Sequence, residues 1–268
     1  MNYSEHLPSP QLAAIVKLYW SLEHDGARAD PETILPDGCP ELVFNLSDRF
    51  ERIDGAKTEI QPATLFAGQM RRSITIRATG KVALFGVRFQ AAGASALGRF
   101  SLYEITDRIF DIESILGREG TEMEEAVNLA SGFEEKIAVF ESFLVKAMDK
   151  RVQPGTVVNA AIDLIERYGG EVTISKLANC LNMSERRLER NFREQVGLSP
   201  KKFSRIIRFQ NVVRTIERAT DTKMLDAALS LGYFDQSHMI RDFREFSGKS
   251  PLEYFTETHR MSALFTAA

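Results

Sequence analysis

Ala178-x-x-Leu181 … Phe192-Arg193-Glu194-x-x-Gly197-x-Ser199-Pro200-x-x-Phe203 is answered further on by Ala228-x-x-Leu231 … Phe243-Arg244-Glu245-x-x-Gly248-x-Ser250-Pro251-x-x-Tyr254. The offset is 50 residues at the start and 51 at the end, so one residue is inserted between the copies. Each copy reads as short helix, tight turn, longer helix, the helix-turn-helix arrangement. Ala178 and Ala228 fit where two helices cross closely. Asn182 and Gly232 suit the left-handed turn between them. The two motifs are expected at about 173–195 and 224–246.

The flanking signals extend this pattern to the whole region after residue 156. Val157 to Tyr168 is amphipathic and stops at Gly169-Gly170. Thr173 to Leu181 follows, then a helix capped by Ser184 and ended by Gly197. Ser199-Pro200 opens a long helix to about Arg218, with an apolar stripe of Phe203, Ile206, Ile207, Val213 and Ile216. Met224 to Leu231 ends at Gly232, Asp235 caps a helix to about Phe246, and Ser250-Pro251 starts the last one. That makes seven helices.

Side chains placed at about 100° per residue sort the reading helices into faces. With Arg186 at 0°, Arg190 falls at about 40° and Arg193 at about −20°, while Leu188 and Phe192 fall at about 200° and 240°. In the second copy Met239, Phe243 and Phe246 cluster on one side, and Ser237, His238 and Arg241 lie on the other. A helix with one buried stripe and a face of Arg, Ser, His and Gln can enter a major groove. There Arg pairs two-pronged with guanine and Gln with adenine. The competing reading is a helical bundle with solvated arginines; the duplicated motif favours DNA.

Charge agrees. The chain has 34 Lys+Arg and 37 Asp+Glu, a net of −3. From Pro154 on there are 17 basic and 14 acidic residues, against 17 and 23 before it. Arg186 to Lys223 alone holds 11 basic and 4 acidic residues. An acidic body with one concentrated basic segment suits a polyanion.

On these residues the region 156–258 resembles the C-terminal DNA-binding domain of the AraC/XylS family of bacterial transcription regulators. The matching segments are Thr173-Ile-Ser-Lys-Leu-Ala178, Leu181-Asn-Met-Ser-Glu-Arg-Arg-Leu-Glu-Arg-Asn-Phe192 and, most specific, Ala227-Ala-Leu-Ser-Leu-Gly-Tyr-Phe-Asp-Gln-Ser-His-Met-Ile-Arg-Asp-Phe-Arg244 with Gly248-x-Ser250-Pro251. The resemblance implies two helix-turn-helix units joined by the helix from Pro200. Both reading helices would meet one side of the duplex about one turn, ~34 Å, apart. It implies base contacts from Arg186, Glu189 and Arg190 in the first unit and Gln236, Ser237, His238 and Arg241 in the second. Gln236 sits at the helix start, nearer the core side. Glu189 would accept from a cytosine amino group or orient Arg186 or Arg193. Lys201, Lys202 and Arg205 are the candidates for phosphate contacts.

The first half reads differently. At roughly 150 residues per domain, 268 residues suggest two domains; we expect 1–150 and 156–260, divided at Gln153-Pro154-Gly155. Leu12–Glu23, Glu41–Leu46 after Pro36-Asp37-Gly38, and an expected hairpin from Ser73 to Phe89 turning at Thr79-Gly80-Lys81 read as strands. Ala91–Leu97, Ile112–Leu129 and Glu134–Met148 read as helices. The stripe Ile137, Phe140, Phe143 or Leu144, and Ala147 would pack on its own barrel or form a dimer seam. Leu35-Pro-Asp-Gly-Cys-Pro-Glu-Leu-Val-Phe-Asn45, Ala67-Gly-Gln69 and Phe85-Gly-Val-Arg-Phe89 more loosely resemble the N-terminal domain of unknown function in one AraC-like subgroup. That resemblance implies a cupin-like β-barrel that binds a small effector or dimerises. The fold class is thus α+β and multidomain: cupin-like barrel with accessory helices, then an all-α double helix-turn-helix.

Asp37, Glu41, Gln69 and Arg88 are candidates for an effector pocket; alternatively Asp37 serves its turn and Arg88 ties Glu41 structurally. Cys39 is a redox sensor or a small buried apolar residue. The two cysteines and four histidines make no metal spacing, and no nucleophile elbow, phosphate loop or dinucleotide fingerprint appears. No metal, cofactor or catalytic residue is therefore expected, and no enzyme. No secretory signal or apolar run of ~20 residues appears, which suggests a cytoplasmic protein without a membrane partner. The expected partners are double-stranded DNA, a small effector, RNA polymerase and a second copy as a homodimer. The rival readings are an enzyme-like cupin domain fused to a DNA-binding domain, and an effector-independent dimeric regulator.

Overall fold

The structure is a computed structural model that describes residues 1–25, 30–97, 100–148, 156–218 and 232–256. The expected helix Met224–Leu231 and His259 lie outside the described residues.

Among the described residues ten strands make two antiparallel sheets. The strands are β1 (Asn2–His6), β2 (Val16–His24), β3 (Glu32–Ile34), β4 (Glu41–Asn45), β5 (Phe50–Asp54), β6 (Lys57–Ile60), β7 (Thr64–Ala67), β8 (Ile74–Ala78), β9 (Val82–Phe89) and β10 (Ile109–Asp111). One sheet has the order β1-β2-β9-β4-β7-β10, the other β3-β8-β5-β6. They are separate ladders, not one closed barrel, among the described residues.

The expected Ser73–Phe89 hairpin is corrected by this topology. β8 pairs with β3 and β5, whereas β9 pairs with β2 and β4. Thr79-Gly80-Lys81 is therefore a corner that carries the chain from one sheet to the other. Alternation and a glycine turn are common to a hairpin and to such a corner. Only the partner strands, far away in sequence, separate them.

The central strands of the six-stranded sheet are covered on both faces, and their two-residue period sorts them. Tyr19, Phe44, Phe85 and Phe89 face three helices: α1 (Ile112–Leu116), α2 (Arg118–Leu129) and α3 (Phe133–Met148). Ile112–Leu129 breaks into two helices at Gly117, whose φ is 61°. On α3, Ile137, Phe140, Leu144 and Ala147 are all buried, with Phe140 ringed by Tyr19 and Phe89. The stripe is core, which removes the feature that suggested a dimer seam. Leu18, Trp20, Leu22 and Leu84 point the other way, toward Phe50 and Ala78 of the second sheet. Ala91–Leu97 contributes only a 3-10 turn, Gly93–Leu97.

The described helices of the second half are α4 (Thr156–Arg167), α5 (Ile174–Cys180), α6 (Glu185–Val196), α7 (Pro200–Arg218), α8 (Gln236–Ser247) and α9 (Pro251–Thr256). They pack around α7, where Phe203, Ile206, Phe209, Val212 and Val213 are at most 1% exposed.

The two halves interlock. Leu35, Ala91 and Ala92 belong to the hydrophobic cluster of the helical half. Gln210 Nε2 on α7 donates to Pro36 O at 2.7 Å, Thr106 Oγ1 donates to Gly197 O at 2.8 Å, and Ser73 N donates to Phe246 O at 2.7 Å. Gly38 has a φ of +83°, and a Cβ there would stand 2.8 Å from the Phe203 ring. Gly38→Ala combines left-handed strain with overpacking against a buried aromatic. We expect it to cost about 2 kcal/mol in urea unfolding; an unchanged midpoint would refute the close fit.

Candidate nucleic-acid interface

The first motif is α5, a turn and α6. Thr173 Oγ1 caps α5 by accepting from Lys176 N at 3.3 Å. Ala178 is 2% exposed at the helix crossing, and Asn182 takes a φ of 50° in the turn. Ser184 Oγ caps α6 by accepting from Arg187 N at 3.3 Å, and Gly197 ends it with a φ of 88°. Leu188, Phe192 and Val196 are fully buried. Arg186, Arg190 and Arg193 are exposed on the opposite side. Glu189 is half-buried with its carboxylate 4.0 Å from Arg193 Nη2, so it sits among the arginines as one partner of an ion pair.

In the second motif Asp235 Oδ1 caps α8 by accepting from His238 N at 2.7 Å. Met239, Phe243 and Phe246 are buried; Gln236, Ser237 and Arg241 are exposed. His238 is half-buried with its ring edge-on to Tyr233, centroids 5.2 Å apart. Gln236 lies beside Met239, Pro251 and Leu252, at the flank where α9 begins.

The three phosphate candidates part company. Lys201 is exposed. Lys202 and Arg205 instead lock α7 to α8. Arg205 Nη2 lies 2.5 Å from both Asp242 Oδ1 and Glu245 Oε2, and Lys202 Nζ lies 2.5 Å from Glu245 Oε1. Asp242 is 1% exposed and also accepts from Tyr233 Oη at 3.4 Å. Burial pushes the Glu245 carboxyl up. Hydrogen bonds and charge from Arg205 and Lys202 outweigh it and hold the group at about 2.

Sequence reasoning missed a neighbour of α6. The 3-10 turn Leu102–Ile105 packs against it, Tyr103 lies under the Arg193 guanidinium at 5.7 Å, and an open cleft runs between Tyr103 and Arg186, Glu189 and Arg190. Tyr103 is an exposed aromatic in a short turn, and no periodicity signals it.

The pocket candidates gather between the two sheets. A cavity of about 110 Å³ is lined by apolar side chains such as Ile34, Val43, Phe50 and Ile76, with Asp37, Glu41 and Arg88 in its wall. Arg88 is 3% exposed; it pairs with Asp37, and its Nε lies 3.4 Å from Glu41 Oε1. Asp37 Oδ1 also accepts from Cys39 N at 2.9 Å, so it serves its turn as well. Burial raises Glu41 to about 7, against a lowering hydrogen bond from Trp20 and the charge of Lys17. Gln69 is buried but outside the lining; its Nε2 donates to Gly38 O at 2.7 Å and holds the loop. Cys39 lines the cavity, and burial pushes its thiol up to about 11, away from thiolate chemistry. Gln210, which the sequence reading missed, closes the cavity from α7. It was detectable: seven residues from Phe203, it falls in the middle of the apolar stripe of that helix.

Known proteins share these parts. Residues 177–257 match a family model described as a helix-turn-helix domain, and residues 4–111 match a domain of unknown function, DUF6597. The HTH-type transcriptional regulator MtrA of Neisseria gonorrhoeae is 35% identical over 109 residues, 41% of this chain and 34% of that protein. The chain thus matches about a third of that relative's length. The uncharacterized HTH-type transcriptional regulator YbfI of Bacillus subtilis is 24% identical over 218 residues, 78% of this chain and 72% of that protein. Among solved structures, ToxT of Vibrio cholerae superposes with a TM-score of 0.50 at 11% identity, covering 89% of this chain and 98% of ToxT. Another ToxT structure, bound to (E)-4-(8-methylnaphthalen-1-yl)but-3-enoic acid, gives 0.51 at 10% identity, covering 89% and 98%. A helix-turn-helix domain of the AraC type thus follows a DUF6597 domain in this chain, and both segments are shared with proteins named HTH-type transcriptional regulators or lie in the region that one of them matches.

Proposed function

We propose that the protein is a sequence-specific transcription regulator that binds double-stranded DNA through α6 and α8 and is controlled by a small effector in its N-terminal half. The observation that carries this is the pair of capped helices, each with one buried stripe and an opposite face of exposed polar side chains. Arg186, Glu189 and Arg190 read one major groove; Gln236, Ser237, His238 and Arg241 read the next. Lys201 is the phosphate contact that remains open, and Lys202 and Arg205 reach phosphates only by giving up pairs with Glu245 and Asp242 that already match their charges. The segment 1–150 acts as sensor, an open relative of the cupin-like barrel. The segment 156–260 acts as the seven-helix reader.

Relatives named as transcriptional regulators support a role without catalysis. No helix among the described residues is long and apolar enough to cross a membrane. The site of action is the cytoplasm, with RNA polymerase as the downstream partner and a homodimer as the working form. A cavity closed by Gln210 of α7 gives the effector a direct route to the reader: it sits against the Pro36 loop that α7 holds. A ToxT structure with a small aromatic acid bound supports an effector of modest size for this fold.

Footprinting on the DNA upstream of the protein's own gene tests the reading. We expect protection across two adjacent major grooves about 34 Å apart, weakening as salt rises. Protection of a single groove, or equal binding to any sequence, would overturn it.

A further inference from the structure

We propose that the cavity between the sheets takes a small organic monocation, an amine or quaternary ammonium carried on an apolar body about the size of one aromatic ring. The inference rests on the reading of this cavity as an effector pocket and supplies its chemistry. The volume of about 110 Å³ is below the ~150 Å³ of an engineered apolar cavity that holds benzene, so one ring is the upper limit for the apolar body, and the charged group has to sit in the polar corner. The body follows from the walls, where Ile34, Val43, Phe50, Leu65 and Ile76 meet.

The charge follows from the one polar corner. Two carboxylates, Asp37 and Glu41, converge there on one guanidinium, Arg88. All three line the cavity, and Arg88 is 3% exposed. Asp37 takes the arginine, which leaves the Glu41 charge only partly matched. The groups acting on Glu41 from its neighbours are the Arg88 guanidinium on β9, the Trp20 indole and Lys17 on β2, and Asp37 in the loop before β4. Tyr3 and Glu5 on β1 and Arg214 on α7 act on Arg88, and Tyr3 and Cys39 also interact with Glu41. Lys17 is not in the cavity wall. Burial outweighs the help from Trp20 and Lys17, so Glu41 keeps its proton up to about pH 7. A bound cation replaces that proton as the countercharge. A bound anion would find Arg88 already paired with Asp37 and would keep Glu41 protonated. Trp20 and Phe50 in the same wall provide aromatic surface that favours a cation further.

Three probes of one size and different charge decide the matter on the full-length protein: benzylamine, benzyl alcohol and benzoate, compared by titration calorimetry at pH 7. We expect benzylamine to bind at least about tenfold more tightly than benzyl alcohol, and benzoate least. Binding of benzylamine should release protons from Glu41, seen as a heat that changes with the ionisation enthalpy of the buffer. Its affinity should rise between pH 6 and 8. Glu41→Gln should lose about tenfold for benzylamine while keeping its affinity for benzyl alcohol, which also shows that the variant is folded. Ile76→Phe, which fills the cavity, should weaken all three. Benzoate preferred over benzylamine, or the amine and the alcohol bound equally, overturns the monocation and leaves the pocket standing. Wild-type protein that binds none of the three overturns the pocket together with its ligand.

Discussion

Arg205→Ala is expected to destabilise the protein by about 3–5 kcal/mol, because it leaves Asp242 buried at 1% exposure without its cation. Urea unfolding followed by circular dichroism measures this. The double variant Arg205→Leu/Asp242→Leu should recover most of the loss, since it removes the buried charge together with its partner. A single variant as stable as wild type would show that the lock between α7 and α8 does not hold them. The same cluster sets a limit toward acid. Glu245 is held at about 2, below its ordinary range. Its contribution to stability is present above about pH 4.5 and is lost as pH falls through 2. The Arg205→Ala protein should keep only part of that acid dependence, since Lys202 alone is left to hold Glu245 down.

Arg190→Ala and Arg241→Ala should each weaken specific DNA binding by about 1–3 kcal/mol. Both residues are exposed, so neither change should alter folding. They sit on separate reading helices, so the double variant should lose close to the sum, about 2–6 kcal/mol. Gel shifts at fixed salt give the loss. Footprints with base substitutions show whether Arg190→Ala relaxes one groove and Arg241→Ala the other. Binding as tight as wild type in the double variant would reject the interface.

The helical half was legible because its signals are local. Ser184, Asp235, Thr173, Gly197 and Pro200 cap, end or start their helices where the residues said they would. The exposed arginines of α6 fell on the face that the 100° spacing assigned. The misses come from contacts distant in sequence. β8 and β9 read as a hairpin because alternation does not encode which strand is the partner. The partners of Lys202 and Arg205 could not be foreseen either, because nothing near them announces Asp242 and Glu245, about 40 residues on; their role toward phosphate is a separate matter for DNA binding. Val212 lies off the predicted stripe of α7, yet it is buried, since that helix is enclosed on more than one side. In the pocket, the three charged groups were named from the sequence, but only the fold shows that Gln69 is behind the wall and that Gln210 is part of it.

The five residues from Leu35 to Cys39 answer to both halves of the molecule at once. Leu35 belongs to the core of the helical half, Gly38 presses on Phe203, and Asp37 and Cys39 line the cavity. No change in this strip is private to one domain. A lineage drifting toward a new small molecule by altering it would have to refit the seat of α7 in the same step. Chemical taste and operator geometry in such proteins should therefore be inherited as a pair, and grafting the sensor of one onto the reader of another should succeed only when this short strip and its seat travel together.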